Sequence, residues 1–190
     1  MTGPGLSRRD ALAAAAAALA PAALGPAPAA AEPQVSGDAD VLIPLRRAEA
    51  AAEVAYRTVA MAGGPGDVVG LANGFAAHER EHAMVLATAL EALGADKPQP
   101  PRSAAELDRT LALLGVHPLS RAAGPRARLE VLLELEQALI ARWVRAHRAL
   151  QDPNLMRTAT QVLACQGQHA VALRASLGQE LLPSSVAADR

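Results

Sequence analysis

Residues 78–90 read His-Glu-Arg-Glu-His-Ala-Met-Val-Leu-Ala-Thr-Ala-Leu, and 87 residues later positions 165–177 read Cys-Gln-Gly-Gln-His-Ala-Val-Ala-Leu-Arg-Ala-Ser-Leu. His82 falls on His169, Ala83 on Ala170, Leu86 on Leu173 and Leu90 on Leu177. The same offset, without a gap, puts Glu49 on Glu136, Tyr56 on Trp143, Asp67 on Asn154 and Ala77 on Ala164. Coincidences of Ala and Leu are cheap in this composition. Joint alignment of Glu, His and an aromatic is not, because the chain holds one Phe, one Trp and one Tyr and two of these fall on equivalent positions. The apolar residues recur at helical spacing, so the duplicated unit is a helical hairpin.

The punctuation around the repeat sets the hairpins. A first long helix is expected over about Val41 to Ala62, with Asp40 as its cap and Pro44 in the opening turn, stopped by Gly63-Gly64-Pro65-Gly66. Asp67 is placed to cap a second helix that ends near Leu93, with Gly94 as terminator. A Pro-rich connection follows to about Pro125, with one short helix announced by the capping-box spacing of Ser103 and Glu106. A third long helix covers about Arg126 to Leu150. Asp152-Pro153 then opens a fourth, which runs to about Leu177. Four such helices make a bundle roughly 35 to 40 Å long at 1.5 Å per residue. The connection between hairpins is long enough to return along that whole length. The expected fold is all-α, with no β-structure: two antiparallel helical hairpins joined by a long crossover that carries a short helix.

On helix 2, Glu79 and His82 are three apart and share one face. Helix 4 offers Gln166 and His169 at the same spacing. Thirty residues ahead of each pair stands a Glu: Glu49 before Glu79, and Glu136 before Gln166. A Glu from each of two helices, with Glu-x-x-His from each of the other two, is the pattern of a two-metal carboxylate site in a bundle core. Divalent ions bring positive charge into an apolar interior, carboxylates offset it, and imidazole completes the coordination.

At these residues the chain resembles the ferritin-like superfamily, which includes bacterioferritins, rubrerythrins and exported ferritin-like domain proteins. The resemblance covers about Val41 to Leu177. It implies that Glu49 and Glu136 are terminal carboxylates, Glu79 a bridging carboxylate, and His82 and His169 the imidazole ligands. Tyr56 resembles the tyrosine such proteins often keep near the metals, where it would supply an electron. The implied cofactor is iron, as a pair or a single ion, with manganese or zinc as other choices. The implied chemistry is oxidation of ferrous ion by oxygen or peroxide. Gln166 departs from the pattern, because a neutral amide stands where a second bridging Glu belongs. Glu53, one turn beyond Glu49, is a candidate substitute, although its position favours the edge of the bundle.

Other readings compete. His78-Glu79-Arg80-Glu81-His82 spells H-E-x-x-H, the zinc-protease helix. It lacks a strand-edged cleft and a third ligand beyond the helix, and it leaves His78 as a helix-flank residue opposite Cys165 with no partner role. Cys165 reads as a small buried apolar residue, and Trp143 as core. His117 and His147 read as solvated, and Glu81, Glu130 and Glu134 as exposed or edge charges. The alternative for the whole chain is a non-catalytic envelope bundle, without cofactor, whose polar core is a hydrogen-bonded remnant of a metal site.

Ser7-Arg8-Arg9-Asp10-Ala11-Leu12, then an Ala/Leu run to Ala20 and a Pro/Ala stretch ending Ala29-Ala30-Ala31, describe a secretory signal of the twin-arginine type. The expected organisation is a signal over 1–31, a linker over 32–40, the bundle over 41–178 and a loose tail over 179–190. The apolar run is interrupted by Pro21 and Pro26 and falls short of the roughly 20 residues a membrane span needs, so no stable insertion is expected once the signal is removed. The expected location is the periplasm, the cell envelope or the exterior. Formal net charge is −1, and losing Arg8, Arg9 and Asp10 with the signal makes it −2. That balance offers no basic stripe for nucleic acid and no polybasic membrane patch. One cysteine excludes an internal disulfide and argues against a thiolate-rich copper store or a zinc knuckle. The expected partners are metal ions and small oxidants, and a homo-oligomer is compatible with the chain.

Overall fold

Four long helices and one short one account for nearly all of the computed structural model, which describes residues 37–181. The expected signal at 1–31 and residues 182–190 of the expected tail lie outside the described residues. Helix α1 spans Gly37–Met61, α2 Gly66–Ala92, α3 Ala104–Leu114, α4 Gly124–Ala149 and α5 Pro153–Leu177, with one 3-10 turn at Leu119–Arg121. No strand occurs among the described residues.

The helix ends show where local chemistry rules. Asp152 caps α5 by accepting from the amides of Asn154 (2.6 Å) and Leu155 (3.3 Å), with Pro153 in the first turn. Gly178 closes the same helix at φ 67°, a left-handed conformation that costs a residue with a Cβ. Ser103 Oγ accepts from Glu106 N at 3.2 Å, and the Glu106 carboxylate reaches back to the amide of Arg102 at 2.8 Å. Between α1 and α2, Gly63 and Gly64 take φ of 70° and 150°, which allows so tight a reversal.

Two expected caps are corrected. The chain is already helical at Gly37, so Asp40 lies inside α1 and Pro44 sits in the helix interior, not in its opening turn. The cap position of α2 is Pro65, with no side-chain hydrogen bond, and Asp67 sits in the first turn, where its charge suits the helix dipole. Asp38, in the first turn of α1, makes a long-range contact. Its carboxylate accepts from the amides of Gln151 (2.8 Å) and Asp152 (3.0 Å) and ties the start of α1 to the α4–α5 loop.

Tyr56 meets Glu136 while Glu49 meets Trp143, so α1 and α4 run antiparallel. Since α1 and α2 also form an antiparallel hairpin, α2 and α4 run the same way, and the segment after α2 must return along the bundle. Helix α3 lies on that return and buries Leu107 and Leu111. The core is leucine from α2, α4 and α5 (Leu86, Leu90, Leu132, Leu135, Leu139, Leu173 and Leu177) against a face of α1 built from Ala48, Ala51, Ala52 and Ala55. Each large side chain buried this way contributes roughly 1.5–3 kcal/mol, and the small alanines let neighbouring helices approach. Polar residues interrupt this core in its middle.

Candidate metal centre

Glu49 on α1, Glu79 on α2, Glu136 on α4, and Gln166 and His169 on α5 are at most 1 % exposed. His82 on α2 joins them with 12 % of its side chain exposed. The structure thus brings all six residues expected as metal ligands into one layer. A buried carboxylate without a partner is strongly destabilising, so the partners decide what the layer can do.

The aromatic pair of the repeat supplies two of them. Tyr56 OH donates to Glu136 Oε1, and Trp143 Nε1 donates to Glu49 Oε1. Each half of the repeat thereby orients the other half's carboxylate, a reciprocity that follows from pseudo-two-fold symmetry. Trp143, expected as core, is buried and also holds Glu49.

Within this layer ligand atoms gather in two groups, Glu49 with Glu79 and His82, and Glu79 with Glu136 and His169. Within each group the atoms lie within 4.8 Å of one another, and Glu79 belongs to both. The groups are unequal because of Gln166. Its Nε2 donates to both oxygens of Glu49 (3.2 Å each) and to Glu79 Oε2 (3.1 Å), engaging carboxylate oxygens of the first group and leaving its His82 Nδ1 without a partner. In the second group, Glu79 Oε1, Glu136 Oε2 and His169 Nδ1 are buried without a hydrogen-bond partner. His169 Nδ1 does lie 3.0 Å from Glu79 Oε1 and 3.4 Å from Glu136 Oε1. Those approaches permit charge attraction but are misaligned for hydrogen bonds.

Charge is shared unevenly. Burial pushes Glu49 well above the usual carboxylate range, and the neighbouring Glu79 adds to the shift. Burial raises Glu136 to about 7. Burial would raise Glu79 too, but its contacts with Glu49, His169 and His82 hold it below the usual range. Burial would lower both imidazoles; the adjoining carboxylates outweigh it and lift His82 to about 11 and His169 to about 9. Tyr56 is raised well above its ordinary value by burial first and by Glu136 second, so its phenol stays protonated.

Of the remaining placements, Glu53 keeps the bundle edge that its position favoured, while His78 and Cys165 depart from expectation. Glu53 does not replace the missing carboxylate. It turns to the flank, 3.0 Å from Arg80 Nε and 3.6 Å from Arg57, and joins neither ligand group. His78 has partners after all, since its Nδ1 lies 2.9 Å from His169 Nε2. Cys165 is half-buried, with Sγ 3.4 Å from the same Nε2. The H-E-x-x-H residues part company, His82 going to Glu49 and Glu79 and His78 to Cys165 and His169, while Glu79 has no exposure from which to activate a substrate water. His117 is exposed yet 2.8 Å from Glu134, and His147 is half-buried. Phe75, unremarked in the sequence because Val162 is its repeat equivalent, stacks on His169 at 3.9 Å and 22°.

The donors fit a transition-metal ion. Converging carboxylate oxygens and imidazole nitrogens without hydrogen-bond partners in a dry core are what Fe2+, Mn2+ or Zn2+ would complete on displacing their protons. The family model of the ferritin-like domain matches residues 38–179. The chain belongs to that family. The match covers all four long helices of the bundle almost end to end, including every member of both ligand groups. No curated protein and no solved structure matches the chain. The ferritin-like bundle therefore carries possible metal-ligand groups in the interior layer where its helices meet. Among the described residues, no helix is long and apolar enough to cross a membrane.

Proposed function

We propose that this bundle binds one transition-metal ion tightly, between Glu79, Glu136 and His169, and that with iron it oxidises ferrous ion at the expense of oxygen or peroxide. The observation that carries the reading is the set of three buried, unpartnered donor atoms, one from each of these residues. A second ion would need the Glu49, Glu79 and His82 group, whose oxygens the Gln166 amide already occupies. Charge points the same way. Three carboxylates offset one divalent ion comfortably, and two such ions would leave uncompensated positive charge in the core.

Bound iron supplies one-electron chemistry. The chain's part is to hold and to move protons. Gln166 fixes Glu49 and Glu79, and Tyr56 fixes Glu136. Should Tyr56 give up an electron, its proton has the Glu136 carboxylate to go to, which is the acceptor of its hydrogen bond. Export by the twin-arginine route is part of the same reading and rests on Ser7-Arg8-Arg9 and the Ala-rich run that follows. Loss of export on changing Arg8 and Arg9 to Lys is the expected result.

The alternative is a metal-free envelope bundle. It is favoured by one observation, that imidazoles raised to about 11 and about 9 can neutralise the carboxylates from within. Metal content per chain separates the two, measured on protein purified from its native compartment and on a His82→Ala, His169→Ala double variant. Metal in the native chain, absent from the double variant, with ferrous ion consuming oxygen or peroxide, supports the first reading. No metal above background in the native chain leaves only the second.

A further inference from the structure

A second cluster of ligand atoms lies on the outer side of His169. His78 Nδ1, Cys165 Sγ and His169 Nε2 are separated by 2.9 Å between the nitrogens, 3.4 Å from sulfur to His169 and 3.9 Å from sulfur to His78. His78 and Cys165 are equivalent positions of the 87-residue repeat that touch each other, so both sit on the pseudo-two-fold axis, as Glu79 and Gln166 do. His78 is exposed, Cys165 is half-buried and free, and His169 is buried. An ion therefore reaches the cluster from solvent without crossing the carboxylate layer. The ring of His169 is held by Phe75 stacked on its face, which keeps Nδ1 towards the carboxylates and Nε2 towards the thiol.

The His78 and His169 rings are nearly coplanar (8°, centroids 5.2 Å apart), with these nitrogens facing each other. The ion takes the place of their hydrogen bond as the exposed His78 ring turns, and the present separations are within a metal's reach. With metal–nitrogen bonds of about 2.05 Å and a metal–sulfur bond of about 2.3 Å, they correspond to angles at the ion of about 90°, about 103° and about 127°. Three ligands so arranged occupy three corners of a distorted tetrahedron and leave the fourth for water. We propose that His78, Cys165 and His169 form a second metal site, for a thiophilic ion of the zinc or copper(I) kind, on the flank of the bundle. A thiolate with two imidazoles selects such ions, whereas the interior carboxylate group suits manganese or iron.

Entry of the ion releases the thiol proton and the proton shared between His78 and His169. The N–H of His169 then resides on Nδ1, facing Glu79. The two sites share only this ring, so they compete for it, and the outer site does not depend on whether the inner one works.

The test is an anaerobic titration of the reduced full chain with Co2+, reading the sulfur-to-cobalt charge-transfer absorption, followed by Zn2+. The expected result is a band that saturates at one cobalt per chain and disappears when zinc displaces the cobalt. Cys165→Ser, nearly isosteric, abolishes it. His78→Ala, at an exposed position, weakens binding by more than the roughly 10–100-fold that loss of an outer-shell partner costs. Glu79→Gln keeps the band while lowering the affinity for Mn2+, so failure of the inner site registers separately. Absence of a thiolate band in the unmodified chain, or an unchanged band in His78→Ala, overturns the proposal.

Discussion

At residue 166, one amide holds two carboxylates of the layer. Gln166 donates to Glu49 and Glu79 and thereby engages oxygens that a second ion would need. Gln166→Glu removes those donors and adds a charge, so Mn2+ stoichiometry should rise from one to two per chain in an equilibrium titration. Tyr56→Phe strips Glu136 of its buried donor. The metal-free variant should lose about 1–3 kcal/mol in urea unfolding, the usual cost of orphaning a buried acceptor. Bound metal should recover part of that loss. The residues of the polar layer were legible in the sequence because Glu, His and aromatic recur at one offset. Phe75 and the partners of His78 were not, since Phe75 pairs with Val162 in the repeat and His78 with Cys165. A register that equates unlike residues carries no visible signal, and that His78 and Cys165 touch follows from their place beside the symmetry axis, not from the register alone.

At the scale of elements, helix ends were readable wherever one side chain caps one helix. Asp152 and Ser103 do so in the structure. Asp152→Ala should therefore cost about 1 kcal/mol in denaturant unfolding, the usual price of a lost N-cap. Asp40 and Asp67 misled because a cap is recognised by residue type, and an Asp in the first turn gains from the helix dipole whether or not it caps. The contact of Asp38 with the amides of Gln151 and Asp152 spans more than a hundred positions, and no local pattern announces it. In the core, Leu139 and Leu173 are fully buried, and truncation of either to Ala should cost about 2–5 kcal/mol.

For the molecule as a whole, metal binding and protonation are linked. In the metal-free bundle His169 is raised to about 9 and Glu136 to about 7, so near neutral pH the first holds its proton and the second holds one about half the time. An ion entering between them displaces those protons, and its affinity must rise with pH. Isothermal titration with Mn2+ at several pH values should show affinity increasing roughly tenfold or more per pH unit between about 6 and 8, with proton release in proportion. The same linkage makes the loaded bundle harder to unfold, by about 2.7 kcal/mol when free ion is a hundred times its dissociation constant. The overall topology was readable at this scale because loop lengths dictate it. Two short loops make two hairpins, and one long connection returns along the bundle. What the sequence could not show is that Gln166 reaches across the layer to two carboxylates, which depends on three helices meeting at one depth.

The most direct measurement of the central claim is the number of Mn2+ ions bound per chain, read by electron paramagnetic resonance of the free ion. The comparison is between the unmodified protein and Glu136→Gln, which removes one inner ligand and none of the three flank ligands. One tight ion in the former and none in the latter is the expected result. No tight ion in the unmodified chain, or one that Glu136→Gln does not disturb, would contradict the account.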